Sequence, residues 1–179
     1  MASHYGVAIQ GACIYSEPWN NLPEGEHTPM GIYQMEQSDG YAIKPFLINS
    51  AVYSNGGGAF IGNDFWFVWK QRDPTGQITL CQREKLNLTT GKRENLGICT
   101  NDLMATAAGT AVDPTTGDVY GIFWDSENMS SRELGIIDYP NGTRTMIATI
   151  SQALYALCCD KTGQLYAVTQ SGKLVKVDK

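Results

Sequence analysis

The sequence has 179 residues, of which 13 are basic and 18 are acidic, so its formal net charge is −5. Charged residues make up 17% of the chain and hydrophobic residues 42%, a balance that excludes a disordered segment, a coiled coil and a charge-driven nucleic-acid-binding protein. The length suits one domain. No apolar run approaches the roughly 18 residues of a membrane span, and residues 1–5 lack the basic and apolar regions of a signal peptide. We therefore predict no membrane span, no nucleic-acid partner and no signal peptide within this sequence.

Glycine turns recur along the chain at a constant spacing. Gly40, Gly91 and Gly142 each follow a polar residue, and successive members lie 51 residues apart. Short apolar runs flank each of them, such as Gly31–Met35 and Tyr41–Ile43 around the first. Two short strands around a glycine turn are typical of a β-hairpin. The spacing thus predicts three hairpins in equivalent positions.

A second series of turns alternates with the first. Asp113–Gly117 precedes the apolar run Asp118–Ile122, and Asp160–Gly163 precedes Gln164–Val168. A more divergent copy contains Phe65–Trp69, which is almost continuously apolar and therefore indicates a strand covered on both faces. Four-stranded units repeated every 40–50 residues or so are typical of a β-propeller.

The predicted fold class is all-β, a β-propeller segment of about 3.5 four-stranded antiparallel blades. We expect a single domain over residues 1–179, with blades at about 1–50, 51–99, 100–150 and 151–179, the last of them incomplete. Closed propellers have roughly 4–8 blades, so we expect half of a propeller. The bare faces of its outer blades would favour self-association or pairing with the missing half.

Five motifs give the chain a resemblance to a known group of proteins. In chain order they are Gly31–Tyr33, Gly56–Phe60, Asp113–Tyr120, Glu133–Asp138 and Gly163–Ala167. It resembles the first half of uncharacterised secreted β-propeller proteins of anaerobic gut bacteria. The resemblance implies an extracytoplasmic location, secreted or on the cell surface, and a place as one module of a larger exported protein; no activity is established for that group.

Catalytic and metal-binding motifs are missing from the sequence. Five cysteines without a C-x-x-C pair and only two histidines argue against a zinc cluster. The aspartate turns lack the D-x-D-x-D-G series of calcium loops, and Asp followed by Pro, Thr and Gly suits a tight turn instead. No G-x-S-x-G elbow or pair of spaced carboxylates occurs. We predict no catalytic residue, no metal ligand and no cofactor.

Three groups of residues are predicted to serve the structure. The triple glycine Gly56–Gly58 indicates a bend or close backbone approach near the propeller axis, since no phosphate-loop Lys follows it. Trp66, Trp69 and Trp124 lie within apolar strands and are expected to pack between blades. The five cysteines are expected to be buried structural thiols rather than a disulfide or a redox pair.

The long loop Glu17–Pro29 is the candidate binding site. It contains three prolines, a tryptophan and three glutamates, and long loops in compact domains are often functional. An exposed tryptophan beside polar groups can stack on a sugar ring. The alternative is that Trp19 only caps a blade edge and the loop is an insertion. The candidate ligand-binding residues are Trp19, Glu24, Glu26 and His27.

Two functions fit these observations. The first is a non-enzymatic binding or scaffold module of an exported or cell-surface bacterial protein that contacts glycan or protein. The second is part of a propeller-type glycan hydrolase or lyase whose catalytic residues lie in missing blades. Fold alone does not distinguish them.

Overall fold

The computed structural model describes residues 5–10, 31–36, 42–48, 53–72, 75, 78–87, 89–99, 106–124 and 132–179. Every helix or strand in these ranges is a β-strand. None of these residues belongs to a helix long and apolar enough to cross a membrane. The predicted turn at Gly40 lies outside the described residues.

The chain forms two compact units, one of residues 1–55 and 71–79 and the other of residues 56–70 and 80–179. Fourteen strands are present among the described residues. They are β1 (Tyr5–Gln10), β2 (Gly31–Glu36), β3 (Ala42–Ile48), β4 (Tyr53–Ile61), β5 (Asp64–Arg72), β6 (Ile78–Asn87), β7 (Arg93–Ile98), β8 (Thr106–Val112), β9 (Val119–Trp124), β10 (Arg132–Asp138), β11 (Thr143–Ile150), β12 (Leu154–Cys159), β13 (Leu165–Thr169) and β14 (Leu174–Val177).

These strands form four sheets in which each strand pairs with its neighbours in sequence. The orders are β1-β2-β3, β4-β5-β6-β7, β8-β9-β10-β11 and β12-β13-β14. The pairing is antiparallel, as in β8 with β9, β9 with β10 and β10 with β11. Four strands joined by successive hairpins are the blade of a propeller, so the predicted all-β fold with four-stranded antiparallel sheets is confirmed.

Within the second unit, the first strands of successive sheets approach one another. The Thr110 hydroxyl of β8 donates a hydrogen bond to the Gly58 carbonyl oxygen of β4. On the other side of β8, a Cβ added to Gly109 would lie 2.6 Å from the Leu157 backbone nitrogen of β12. Only glycine allows such an approach. The second, third and fourth sheets therefore meet at their first strands, as blades do around a propeller axis.

Both described turns of the 51-residue series have the predicted form. Gly91 and Gly142 each have φ of 70°, the left-handed conformation that glycine adopts without steric cost. The Gly91 amide donates to the Asn87 carbonyl at 2.8 Å, and the Gly142 amide donates to the Asp138 carbonyl at 2.7 Å. They join β6 to β7 and β10 to β11, which confirms two of the predicted hairpins.

Two apolar clusters fill the space between sheets of the second unit. In the first, Trp66 packs on a cluster that includes Tyr139, and the two ring centroids lie 6.5 Å apart. This contact between the second and third sheets confirms the predicted place of Trp66. The side chains of Trp69 and Trp124 lie outside the described ones. The second cluster joins the third and fourth sheets through Ile122, Leu134, Leu154 and Leu165, which are almost inaccessible to solvent.

The four cysteines that the structure describes follow the prediction only in part, and Cys13 lies outside the described residues. Cys81 and Cys99 are buried, as expected, but Cys158 is exposed and Cys159 is half-buried. Successive side chains of a strand point to opposite faces, and in β12 the buried Leu157 occupies the position before Cys158. The expectation that Cys158 is buried was therefore wrong, because an apolar sequence neighbourhood does not fix which face a residue takes.

Candidate functional site

A charged cluster lies where β8 ends. Asp113 is the first residue after this strand, and its side chain is inaccessible to solvent. Its carboxylate accepts hydrogen bonds from the Thr115 amide and the Thr115 hydroxyl, both at 2.7 Å from Oδ1. The Gly117 amide closes the turn on the Asp113 carbonyl at 2.8 Å. The predicted turn function of Asp113–Gly117 is confirmed.

The second oxygen of the Asp113 carboxylate bonds a lysine from a different sheet. Lys179, just beyond β14, donates from Nζ to Oδ2 of Asp113. The same ammonium lies 5.3 Å from the centroid of the Tyr120 ring in β9, within range of a cation–π interaction. Asp113 and Lys179 thus link the third sheet to the fourth.

The ionisation of these groups follows from their contacts. The Lys179 hydrogen bond, followed by those of Thr115, holds the pKa of Asp113 well below its usual range. The partnership with Asp113 raises the pKa of Lys179. Burial raises the pKa of Tyr120, and burial followed by the charge of Asp113 raises the pKa of Cys159. At neutral pH the cluster is therefore an ion pair flanked by a neutral phenol and a neutral thiol.

The equivalent turn of the fourth sheet repeats the Asp–Thr contacts. Asp160 follows β12 and accepts the Thr162 amide at 2.8 Å and the Thr162 hydroxyl at 2.7 Å. The Gly163 of this turn packs against the first turn, because a Cβ on Gly163 would lie 3.0 Å from both Asp113 carboxylate oxygens. Two copies of one turn thus lie against each other at the end of the inner strands.

The chemical capacity of the cluster is limited. An ionised carboxylate whose oxygens already accept three hydrogen bonds is a poor base, and a general acid needs a raised pKa instead. Among the described residues, no group of three or more His, Cys, Asp or Glu is placed to hold a metal ion. The cluster is best suited to holding two blades together.

The predicted binding residues lie elsewhere. Trp19, Glu24, Glu26 and His27 all fall in the stretch 11–30, outside the described residues, so their arrangement stays a prediction. The triple glycine is described in its backbone as part of β4. At Gly58 an added Cβ would lie 2.9 Å from the Trp66 carbonyl oxygen, and this bears out the expected close backbone approach.

One aromatic side chain on an inner strand is open to solvent. Tyr155 of β12 is 42% exposed. Its ring centroid lies 5.5 Å from the guanidinium carbon of Arg132, a residue that is itself only 1% exposed. A ring fixed against a buried guanidinium has little freedom to move, and a fixed, exposed ring is suited to stacking.

Sequence reasoning missed Lys179 and Arg132. The aspartate turn at Asp113 is visible in the sequence, but this pattern predicts a turn and not a nearby cation. No local pattern identifies that cation, because Lys179 lies 66 residues from Asp113 along the chain. Tyr155 and Arg132 likewise meet only through the packing of two sheets.

Comparisons with known proteins find similarity in structure only. No protein family matches the chain, and no curated protein matches it in sequence. Solved structures of β-propeller type do match. A gluconolactonase from Xanthomonas campestris matches with 12% identity and a TM-score of 0.49 over 82% of this chain and 54% of that one.

Two further structures match in a similar way. The nidogen/laminin complex matches with 14% identity and a TM-score of 0.49 over 83% of this chain and 51% of that one. A streptogramin B lyase matches with 16% identity and a TM-score of 0.43 over 83% of this chain and 47% of that one. The chain spans about half the length of these structures.

Proposed function

We propose that this chain is a non-enzymatic binding or scaffold module of an exported or cell-surface bacterial protein, with a single propeller domain over residues 1–179. The proposal rests on one observation: the carboxylates in the turns are bonded by other side chains of the protein. Asp113, Asp138 and Asp160 all have a lowered pKa, because lysine, asparagine or threonine side chains of this chain bond them. These acids stabilise turns and sheet contacts and are ionised at neutral pH.

Other described carboxylates are also engaged within the protein. Glu84 is almost fully buried and forms an ion pair with Arg93, and Glu133 forms an ion pair with Arg144, with 2.8 Å between the charged atoms. Acid–base catalysis of glycan cleavage needs carboxyl groups directed at the substrate. The carboxylates of Glu84 and Glu133 are bonded to other groups of the protein instead. This supports a binding function rather than glycan cleavage.

The proposed ligand is a glycan or a protein surface, bound by the loop Glu17–Pro29. Trp19 would supply the stacking face, while Glu24, Glu26 and His27 would supply polar contacts. Tyr155 supports this kind of ligand because it offers a second aromatic face on an inner strand. Neither contact needs a cofactor or a metal.

Glycan-array binding of the wild type and of Trp19→Ala tests the proposal, with Met146→Ala as control, since Met146 is exposed on β11. We expect Trp19→Ala to weaken retention roughly tenfold, or about 1.4 kcal/mol, with an unchanged melting temperature. The control should bind like the wild type.

Two results would contradict the proposal. A marked fall in the melting temperature of Trp19→Ala, without array binding by the wild type, would assign Trp19 to the structure. Conversion of any array glycan to shorter or unsaturated products would favour a hydrolase or lyase instead. Thin-layer chromatography of the incubated glycans separates this outcome from binding alone.

A further inference from the structure

Two cysteines of the second sheet face each other across neighbouring strands. In the pairing of β6 with β7, Gln82 lies opposite Ile98 and Arg83 opposite Gly97, so the register places Cys81 opposite Cys99. The Cys99 amide donates to the Cys81 carbonyl oxygen at 2.8 Å. Directly opposed residues of an antiparallel pair point to the same face. The two thiols are therefore neighbours.

Burial places both side chains on the same side of the sheet. Cys81 is 2% exposed and Cys99 is 6% exposed, and both belong to the apolar cluster between the second and third sheets. Both are thiols in this structure.

The backbone spacing of such a pair is compatible with a disulfide. Opposed residues that share a backbone hydrogen bond have Cα atoms about 5.5 Å apart, within the roughly 4.4–6.8 Å range of disulfides. Their Cβ atoms, about 5 Å apart, would have to approach by about 1 Å. β7 can supply this movement because it is the last strand of its sheet order and pairs with β6 alone in that sheet.

We propose that Cys81 and Cys99 are the site of a reversible disulfide that clamps β7 to β6. The oxidant is a small-molecule disulfide. The Cys99 thiol loses its proton to water, and its thiolate attacks one sulfur of the reagent, whose S–S bond breaks and releases one thiolate. Cys81 then loses its proton to water, and its thiolate attacks the Cys99 sulfur and expels the second thiolate. The protein loses two protons and two electrons, and the reagent takes up both to become two thiols.

Cys99 is the point of first attack because of its place in the fold. It follows directly on β7, whose side chains are mostly exposed, and end strands open locally at low cost. Cys81 is less exposed than Cys99, so it reacts second, by attacking the Cys99 sulfur of the mixed disulfide. The proposal does not depend on the function proposed above, since it concerns a contact within one sheet.

The test is oxidation of the native protein with oxidised glutathione, followed by alkylation, trypsin digestion and mass spectrometry. Trypsin separates the two cysteines at Arg83, Lys85, Lys92 and Arg93, so a disulfide yields a linked pair of peptides, residues 73–83 and 94–132. Neither peptide contains another cysteine. We expect this linked pair in the wild type and its disappearance with dithiothreitol.

Matched variants complete the test. Cys158→Ala removes an exposed thiol outside the pair and should form the linked peptides like the wild type. Cys81→Ala and Cys99→Ala should form no linked peptides. In each variant, the other cysteine of the pair should carry at most one glutathione. The proposal fails if the wild type carries only glutathione at the two sites. It also fails if the linked peptides form only after the protein is unfolded in urea.

Discussion

The side chain of Arg83 in β6 reaches the backbone of Tyr139, 56 residues later, where Nη1 donates to the carbonyl oxygen at 2.9 Å. Nη1 also bonds the Pro140 carbonyl, and Nη2 donates to the Leu96 carbonyl at 2.8 Å. One guanidinium thus connects the end of β7 in its own sheet with the turn that joins β10 to β11. The contact fixes the second sheet against the third.

Replacing Arg83 tests this connection. Arg83→Ala leaves three carbonyl groups without their donor, and hydrogen bonds to charged groups contribute about 1.5–3 kcal/mol to stability. We expect the free energy of unfolding to fall by about 2 kcal/mol in urea titration. Lys92→Ala, which removes an exposed cation from a nearby turn, is the control and should change stability little. Equal losses in both variants would contradict the assigned role of Arg83.

A second prediction concerns Gly109, where the strands β8 and β12 come close together. A methyl group there would lie 2.6 Å from the Leu157 nitrogen and 3.1 Å from the Ala156 Cα. Both are backbone atoms and cannot rotate away, and overpacking costs about 1–3 kcal/mol. We expect Gly109→Ala to lower the midpoint of thermal unfolding by several degrees. Thr149→Ala on the exposed face of β11 serves as control, and wild-type stability of Gly109→Ala would disprove the close contact.

Acid should destabilise the protein through Asp113. The folded-state pKa of Asp113 is lowered from its ordinary value of 3.8. As pH falls below that value, the unfolded chain binds a proton that the folded chain does not, so stability falls with decreasing pH. The contribution is fully present above about pH 5 and is lost as pH drops toward the folded-state pKa. Asp138 and Asp160, whose pKa values are also lowered, act in the same direction.

Asp113→Asn isolates this contribution. The variant should be less stable than the wild type at pH 7 and should show a flatter decline of melting temperature below about pH 4. Asp178→Asn, which removes an exposed carboxylate next to Lys179, should keep the wild-type profile. Parallel profiles for Asp113→Asn and the wild type would show that another acid governs the acid transition.

Thiol labelling should separate the cysteines of β12. Cys158 is exposed, whereas burial raises the pKa of the Cys159 thiol and so reduces its reactive thiolate form. We expect a brief treatment of the native protein with iodoacetamide to label Cys158 faster than Cys159, as read by tandem mass spectrometry. Faster labelling of Cys159 would overturn the assignment of faces in β12.

The exposed side chain of Leu174 predicts self-association. It is 66% exposed on β14, the last strand in the order of the fourth sheet, and apolar end strands invite pairing with another chain. Light scattering after size-exclusion chromatography should show dimers or larger species that diminish in Leu174→Lys. A wild type that stays monomeric at every concentration would exclude this expectation.

The features that the sequence predicts correctly are formed by residues close together along the chain. The turns at Gly91 and Gly142, and the aspartate turn at Asp113, depend on residues within a few positions of one another, so a short pattern suffices to identify them. The repeat of these turns then indicates the sheets.

Such short patterns do not identify the contacts between sheets. Arg83 and Lys179 each bond atoms more than 50 residues away, and any of several cations in the sequence could have done so. The exposure of Cys158 depended on the face that β12 turns toward its neighbours. The candidate loop at Trp19 was identified from its length and composition, which carry no information on how its side chains are arranged.

The approach of β8 to β12 at Gly109 has a consequence for how the sheets tolerate change. Where backbone atoms of two strands touch, their separation is set by the main chain and not by the volume of nearby side chains. The distance between β8 and β12 at Gly109 then depends little on substitutions among the leucines and isoleucines of the cluster between the two sheets. Substitutions in that cluster would then alter stability more than they alter the spacing of these two strands.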